Sequence, residues 1–400
     1  MARFRRSFDL SIWTRNLVLF AAALFLLQFG QGLLGGARMN FFIETLGLTE
    51  GEVLWLEGIR ELPGLGLIFV AALTMRLRLP RQGTLALMLI GIGFALYAFV
   101  GSYSALLLAS LVASFGFHLW IPLQNAIGLS LGNKQNAGRL LGTLASVSSL
   151  AGIAGMGALS LISGLFESMP LGNYYLIGGA FVCVSGLVLF LLPKDIGATE
   201  AEPPRILVKK RYWHYYLLIF LAGARKLVLG SFITLMLVQH FQLRVWQIST
   251  LTLVGSVLGL LLTPYLGTLI DHMGESVTTS AAYAVLALCC LGYGLISNLW
   301  VLLGLWIVIR LTMPLGMGLS TYVYRTAPPE ELTPTLTAGV TFDHISSVGM
   351  PFLAGALLPV IQYQGIFLAT AALIFISIPF ARMLQVRVTS TPQTAPSGAE

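Results

Sequence analysis

The chain has 400 residues, of which 56% are hydrophobic and only 10% charged, with a formal net charge of +7. A soluble domain carries about 25% charged residues, so this composition excludes a water-soluble protein and points to an integral membrane protein in a lipid bilayer. At about 20–30 residues per span with its loop, such a chain holds about twelve transmembrane helices. The positive balance reads as the positive-inside bias of membrane proteins, not as affinity for nucleic acid. Cys183, Cys289 and Cys290 lie in apolar runs without metal-ligand spacing, which predicts buried thiols, no metal and no cofactor.

The segment Met1–Asn16 is basic and amphipathic. The apolar run from Leu17 outlasts a signal-peptide core and has no A-x-A site, so it is expected to be a retained first span. The predicted spans are 17–45, 52–75, 83–101, 104–131, 139–164 and 173–192, then 213–240, 247–270, 277–297, 299–324, 336–361 and 365–385. Residues 1–193 form the first half, 194–212 a polar linker, 213–388 the second half and 389–400 a Ser/Thr/Pro-rich tail expected to be disordered. With the N-terminus inside, the cytoplasmic segments hold nearly all the loop lysines and arginines, and the outer loops hold Arg244 alone. That asymmetry predicts a multi-pass protein of the inner or plasma membrane with both termini cytoplasmic.

The halves echo each other. Ile121-Pro122-Leu123 in span 4 answers Met313-Pro314-Leu315 in span 10, and Gly142 and Gly152 in span 5 are spaced as Gly339 and Gly349 in span 11. Between spans 8 and 9 stands Gly267-Thr-Leu-Ile-Asp271-His-Met-Gly274, a G-x3-D-x2-G loop followed by Glu275-Ser276 instead of a basic pair. With inside termini and a charged central linker, these features resemble the major facilitator superfamily. The resemblance implies an all-α membrane protein of twelve helices in two pseudo-symmetric six-helix bundles, working by alternating access. It also implies that spans 1, 4, 7 and 10 line a central cavity. The loop of the first half, Arg76–Gln82, lacks the aspartate of the family motif.

The stretch Leu217–Val238 is long enough to span and carries two charges near its middle, Arg225 and Lys226. A cation at a helix centre costs about 2.5–3.5 kcal/mol on insertion scales, so both are expected to face a wet cavity or a counter-ion. Arg38 in span 1, His118 in span 4 and Arg310 in span 10 complete a set of ionisable groups on the expected cavity helices. A positive, low-dielectric cleft concentrates anions, and arginine forks suit carboxylate or phosphate. Arg225, Lys226, Arg310, Arg38, His118, Gln124 and Asn125 are therefore the candidate solute contacts. The bland alternative is that each cation pairs with an internal acid and only holds helices together.

The internal acids are Glu57 and Glu61 in span 2 and Asp343 in span 11. Glu57, Arg60 and Glu61 share one helix face, which predicts a Glu57–Arg60 or Arg38–Glu61 ion pair. Alternatively, these carboxylates couple transport to protons. Asp343 is expected to pair with Arg310 or to accept a proton, with His344 a packing histidine. Arg139 and Asp271, with Gly267 and Gly274, are expected to form a cytoplasmic gate latch.

No phosphate-binding G-x-x-x-x-G-K-[ST] loop, catalytic triad or metal cluster is visible, which excludes an ATP-driven pump and any recognisable enzyme. The expected function is secondary transport of a small anionic or zwitterionic solute by a monomer. Proton-coupled efflux of lipophilic compounds is the alternative within transport. A non-transporting sensor or scaffold on the same fold is the alternative outside it.

Overall fold

The structure, a computed structural model, describes residues 13–66, 77–132, 137–197 and 208–384. The first span opens as α1, Arg15–Gly35, breaks at Gly36-Ala37, and resumes through Arg38–Asn40 into a π-helical turn, Phe41–Thr45. It is followed by α2 (Glu50–Leu65), α3 (Leu79–Leu96), α4 (Tyr103–Ser130), α5 (Ala137–Leu165) and α6 (Leu171–Phe190). In the second half, α7 runs from Trp213 to Gln239 through a π-helical turn at Val228–Phe232, and α8 (Val245–Met273) and α9 (Glu275–Leu295) follow. Next comes α10, Leu299–Thr326, interrupted by a 3-10 turn, Met313–Gly316, where Pro314 sits. The last helical stretch, Pro329–Arg382, turns at Gln362, whose φ of 56° and ψ of −175° separate α11 (329–361) from α12 (363–382).

Ten helical stretches among the described residues are long and apolar enough to cross a membrane. The last of them, 334–382, contains the turn at Gln362. The second predicted span, 52–75, runs past Gly66 into residues outside those described, as do the middle of the linker and the tail. Local chemistry sets the visible boundaries. Thr49 and Glu52 form a reciprocal capping box that starts α2: the Thr49 N–H donates to Glu52 Oε2 at 2.8 Å, and the Glu52 N–H donates to Thr49 Oγ1 at 3.3 Å. α8 ends at Gly274, whose φ of 78° suits glycine.

Packing follows the chain halves. Among the first-half helices, α1 packs on α5 and α6, and α3 packs on α4 and α6. In the second half, α9 and the α11–α12 stretch pack on each other, and α7 packs on that stretch. Small residues let the backbones approach. A Cβ on Gly32 would lie 2.5 Å from the Gly152 carbonyl oxygen, and one on Gly155 would run into the Phe29 carbonyl. Gly155→Val is therefore expected to force α1 and α5 apart and to cost about 1–3 kcal/mol. A clear drop in the thermal midpoint of the purified protein checks this; an unchanged midpoint contradicts it.

Two seams join the halves: α2 against α11, and α5 against α8. Both close toward the face opposite the chain termini. There Gly355 faces Trp55, and Ser160 and Thr250 share a 2.5 Å hydrogen bond. Asn40 donates to the Leu243 carbonyl at 2.8 Å, and Arg244 meets Glu167 at 2.7 Å. Toward the terminal face the α5–α8 seam opens into a cavity of about 750 Å³ lined by Gln28, Ser146, Ser149, Ser256 and Pro264 among others. Among the described residues, the contacts just named between the halves thus lie toward one face and this cavity toward the other.

Candidate functional site

The first-half wall of the site grows from the break in α1. A Cβ on Gly36 would lie 2.6 Å from the Ser249 side chain of α8, so the break is where α1 meets the opposite half. The π turn that follows, and its counterpart in α7, are the kind of local widening that recurs at functional sites. Arg38 stands just before the first π turn, and Ser231 within the second. The Arg38 Nη2 donates to Ser231 Oγ at 2.8 Å, and Ser231 in turn donates to Glu57 Oε2 at 3.0 Å. The other oxygen of Glu57 accepts from Arg60 Nη1 at 2.7 Å and lies 3.6 Å from Arg38 Nη1. Glu57, only 11% exposed, is thus held by the resumed end of the first span, its own helix and α7.

One turn further along α2 the pattern crosses the seam. Lys226 Nζ donates to Glu61 Oε2 at 3.3 Å and lies 3.7 Å from Asp343 Oδ2 on α11. Ser347 donates to Asp343 at 3.5 Å, and His344 Nδ1 lies 3.6 Å from the same carboxylate. The expected Asp343–Arg310 pair is therefore corrected. Asp343 stands on Lys226, whereas Arg310 lies 5.4 Å over the Trp306 ring of its own helix. The reason is placement: Asp343 faces α7 of its own half, at Lys226 and Gly223, and the Arg310 Cβ lies near Gly255 of α8.

His118 on α4 closes the group. Its Nδ1 donates to the Ser114 carbonyl at 2.8 Å, and its ring meets that of His344 edge-on at 5.2 Å. Ser114 Oγ bonds the Arg60 carbonyl, tying α4 to α2. Above these groups lies a cavity of about 320 Å³ lined by Gln31, Arg38, Arg60, Glu61, Ser114 and His118, with an aromatic wall of Phe94, Tyr97, Phe117 and Tyr175. Tyr97 and Tyr175 stack at 4.8 Å, and Phe41 packs on Tyr175 at the same distance.

Arg38, Arg60 and Lys226 are matched by Glu57, Glu61 and Asp343. The cluster is therefore balanced, not the positive cleft that the cavity helices alone suggest, because the acids come from α2 and α11. Such a network spends most of its Coulomb attraction on desolvation, yet losing one member leaves a buried charge at about 3–5 kcal/mol. It can grip a solute by exchanging internal partners for external ones.

The other candidate contacts lie elsewhere. Arg225, 6% exposed, stacks over the Tyr283 ring at 4.0 Å inside the second half. Gln124 is half-buried and Asn125 exposed, and neither lines the cavity. At the terminal face, Asp271 binds Arg325 Nη2 at 2.6 Å, and Arg325 Nε lies 3.1 Å from Glu275. Among the described residues, Asp271 thus takes part in a clasp within the second half, α8 to α10, next to Gly274 and one turn from Gly267. The side chain of Arg139 lies outside the described residues. The sequence reading missed three things. Arg60 and the aromatic wall line the cavity, although only the Glu57/Arg60/Glu61 spacing hinted at either. Ser231 gave no signal. The linker end is clasped, with Lys209, Arg211 and Tyr212 all on the buried Glu331.

The family model of the Major Facilitator Superfamily matches residues 20–322 and 215–400. No curated protein matches the sequence. Among solved structures, the nucleoside transporter NupG is 13% identical with a TM-score of 0.72, over 93% of this chain and 99% of that one. The human organic anion transporter MFSD10 (TETRAN) is 16% identical with a TM-score of 0.57, over 92% and 99%. A bacterial homologue of the human lysosomal transporter Spinster, in an inward-facing and occupied conformation, is 15% identical with a TM-score of 0.67, over 92% and 96%. At these identities the likeness is one of fold.

Proposed function

This chain belongs to the Major Facilitator Superfamily and is a multi-pass membrane transporter, not an enzyme, and from that premise we propose that it carries a small zwitterionic solute by alternating access. Twelve spans form two six-helix lobes, 1–193 and 213–388, which rock about the cavity. With both termini cytoplasmic in the cell membrane, the seam that is shut is extracellular, and the conformation is inward-open. The proposed working unit is a monomer.

The observation that carries the reading is the balanced cavity wall, with Arg38 and Arg60 beside Glu61 and His118. A carboxylate or phosphate on the solute takes the arginine forks. An ammonium or N–H group takes Glu61. A solute bearing only one sign leaves part of the wall unpaired, which costs affinity. The aromatic wall supports an apolar body between the two charges, and it favours efflux of lipophilic compounds as the second reading.

Proton coupling is placed on Glu57. When the solute's anionic group takes Arg38 and Arg60, Glu57 is left buried without a cation and binds a proton instead. Solute and proton then travel together. Counterflow into proteoliposomes loaded with zwitterions, anions, cations or lipophilic dyes tests the solute class. Exchange of zwitterions above all others is expected; exchange of lipophilic dyes alone would favour the second reading.

A further inference from the structure

Glu61, His118 and His344 come from three helices on both sides of the seam, α2 and α4 in the first half and α11 in the second. One ligand atom from each lies within 4.8 Å of the others. We propose that these three residues bind a transition-metal cation of the Zn²⁺ class and that the bound ion clamps the two halves shut on the outer face. Two imidazoles and one carboxylate form a recurrent zinc donor set, with a fourth position left for water. About a tetrahedral zinc, ligand atoms at about 2.0–2.1 Å stand about 3.4 Å apart.

The surroundings already resemble those of a ligand pair. A carbonyl only accepts, so the His118 Nδ1 that meets the Ser114 carbonyl at 2.8 Å carries the hydrogen, and in the neutral ring Nε2 keeps its lone pair. His344 turns its Nδ1 toward Asp343 Oδ2 at 3.6 Å. A hydrogen bond from the second ring nitrogen to a carbonyl or carboxylate is how metal-binding histidines are oriented; His118 makes that bond, and His344 has the Asp343 carboxylate beside its Nδ1 without yet bonding it. Both Nε2 atoms converge over Gly64 of α2, where any Cβ would run into the His344 ring. The missing side chain is what lets the two imidazoles meet. Lys226 now occupies Glu61 at 3.3 Å, but it also reaches Asp343 at 3.7 Å and is 48% exposed, so it yields Glu61 to a divalent ion without losing its second carboxylate.

The clamping consequence rests on the alternating-access reading; the binding of the ion does not. α11 must part from α2 and α4 when the outer face opens, so an ion held by all three favours the closed face by linkage. The test is a Zn²⁺ titration of the purified full-length chain by calorimetry, with Mg²⁺ as control, beside counterflow of the transported solute. Expected are one Zn²⁺ per chain, no Mg²⁺ response, and inhibition of counterflow over the same concentration range. His118→Ala and His344→Ala are each expected to lower affinity more than tenfold, and His118→Cys, which keeps a metal ligand, to restore it. Solute counterflow measured without metal in the same variants reports separately on the transport reading. Unchanged Zn²⁺ affinity in both alanine variants would overturn the site. Zinc accumulating inside the liposomes would overturn the clamp.

Discussion

Arg38→Ala and Arg60→Ala are each expected to weaken solute binding by about ten- to one-hundred-fold, since each removes charge-assisted hydrogen bonds of about 1.5–3 kcal/mol. Both guanidinium groups border the cavity, and both contact Glu57 from different directions. Arg60→Lys keeps the charge but loses the planar fork, so it recovers only part of the affinity. The check is counterflow with the half-saturating concentration and maximal rate measured separately, and the loss is expected in the former. Arg310→Ala is the comparison, because Arg310 lies on Trp306 outside the cavity lining. It is expected to leave the half-saturating concentration unchanged. If Arg310→Ala damages binding while Arg60→Ala does not, the site has been placed in the wrong half.

The second large effect is expected at Glu57. Glu57→Gln keeps the shape and the hydrogen bond from Ser231 but cannot gain or lose a proton. On the proposed coupling, the wild type is expected to bind solute and proton together, so that an acid-outside gradient drives uptake and raising the pH weakens apparent affinity. In Glu57→Gln, accumulation driven by the gradient is expected to disappear and the pH dependence of affinity to flatten. Counterflow without a gradient should persist. Gradient-driven accumulation that survives in Glu57→Gln would remove this residue from coupling.

Much of the fold was legible because hydrophobic length and basic loops report on a bilayer directly. The helix ends at Thr49 and Gly274 are marked by capping residues. The π turns at Phe41–Thr45 and Val228–Phe232 are not, since one extra residue per turn leaves no trace in an all-apolar stretch. The Glu57–Arg60 contact was legible because it is local, three residues apart on one helix face. The links from Lys226 to Glu61 and Asp343, and from His118 to His344, join residues far apart in sequence. Nothing in the pattern of one helix states which neighbour it will face. The same limit misdirected Asp343 toward Arg310 of the preceding span, and placed Arg225 in a cavity when its buried guanidinium stacks on the face of Tyr283. It also hid the histidine pair, whose members offer no spacing of the kind that marks a metal site within one segment.

Whether the solute must carry both charges is tested most directly by counterflow with one matched set: a zwitterion, its carboxyl ester and its N-acyl derivative. With the wild-type chain, the zwitterion is expected to exchange well and both single-charge relatives poorly. In Arg60→Ala the penalty for the ester should shrink, and in Glu61→Gln the penalty for the N-acyl compound should shrink. Equal exchange of all three compounds, unaffected by either substitution, would contradict a charge-paired cavity at the seam.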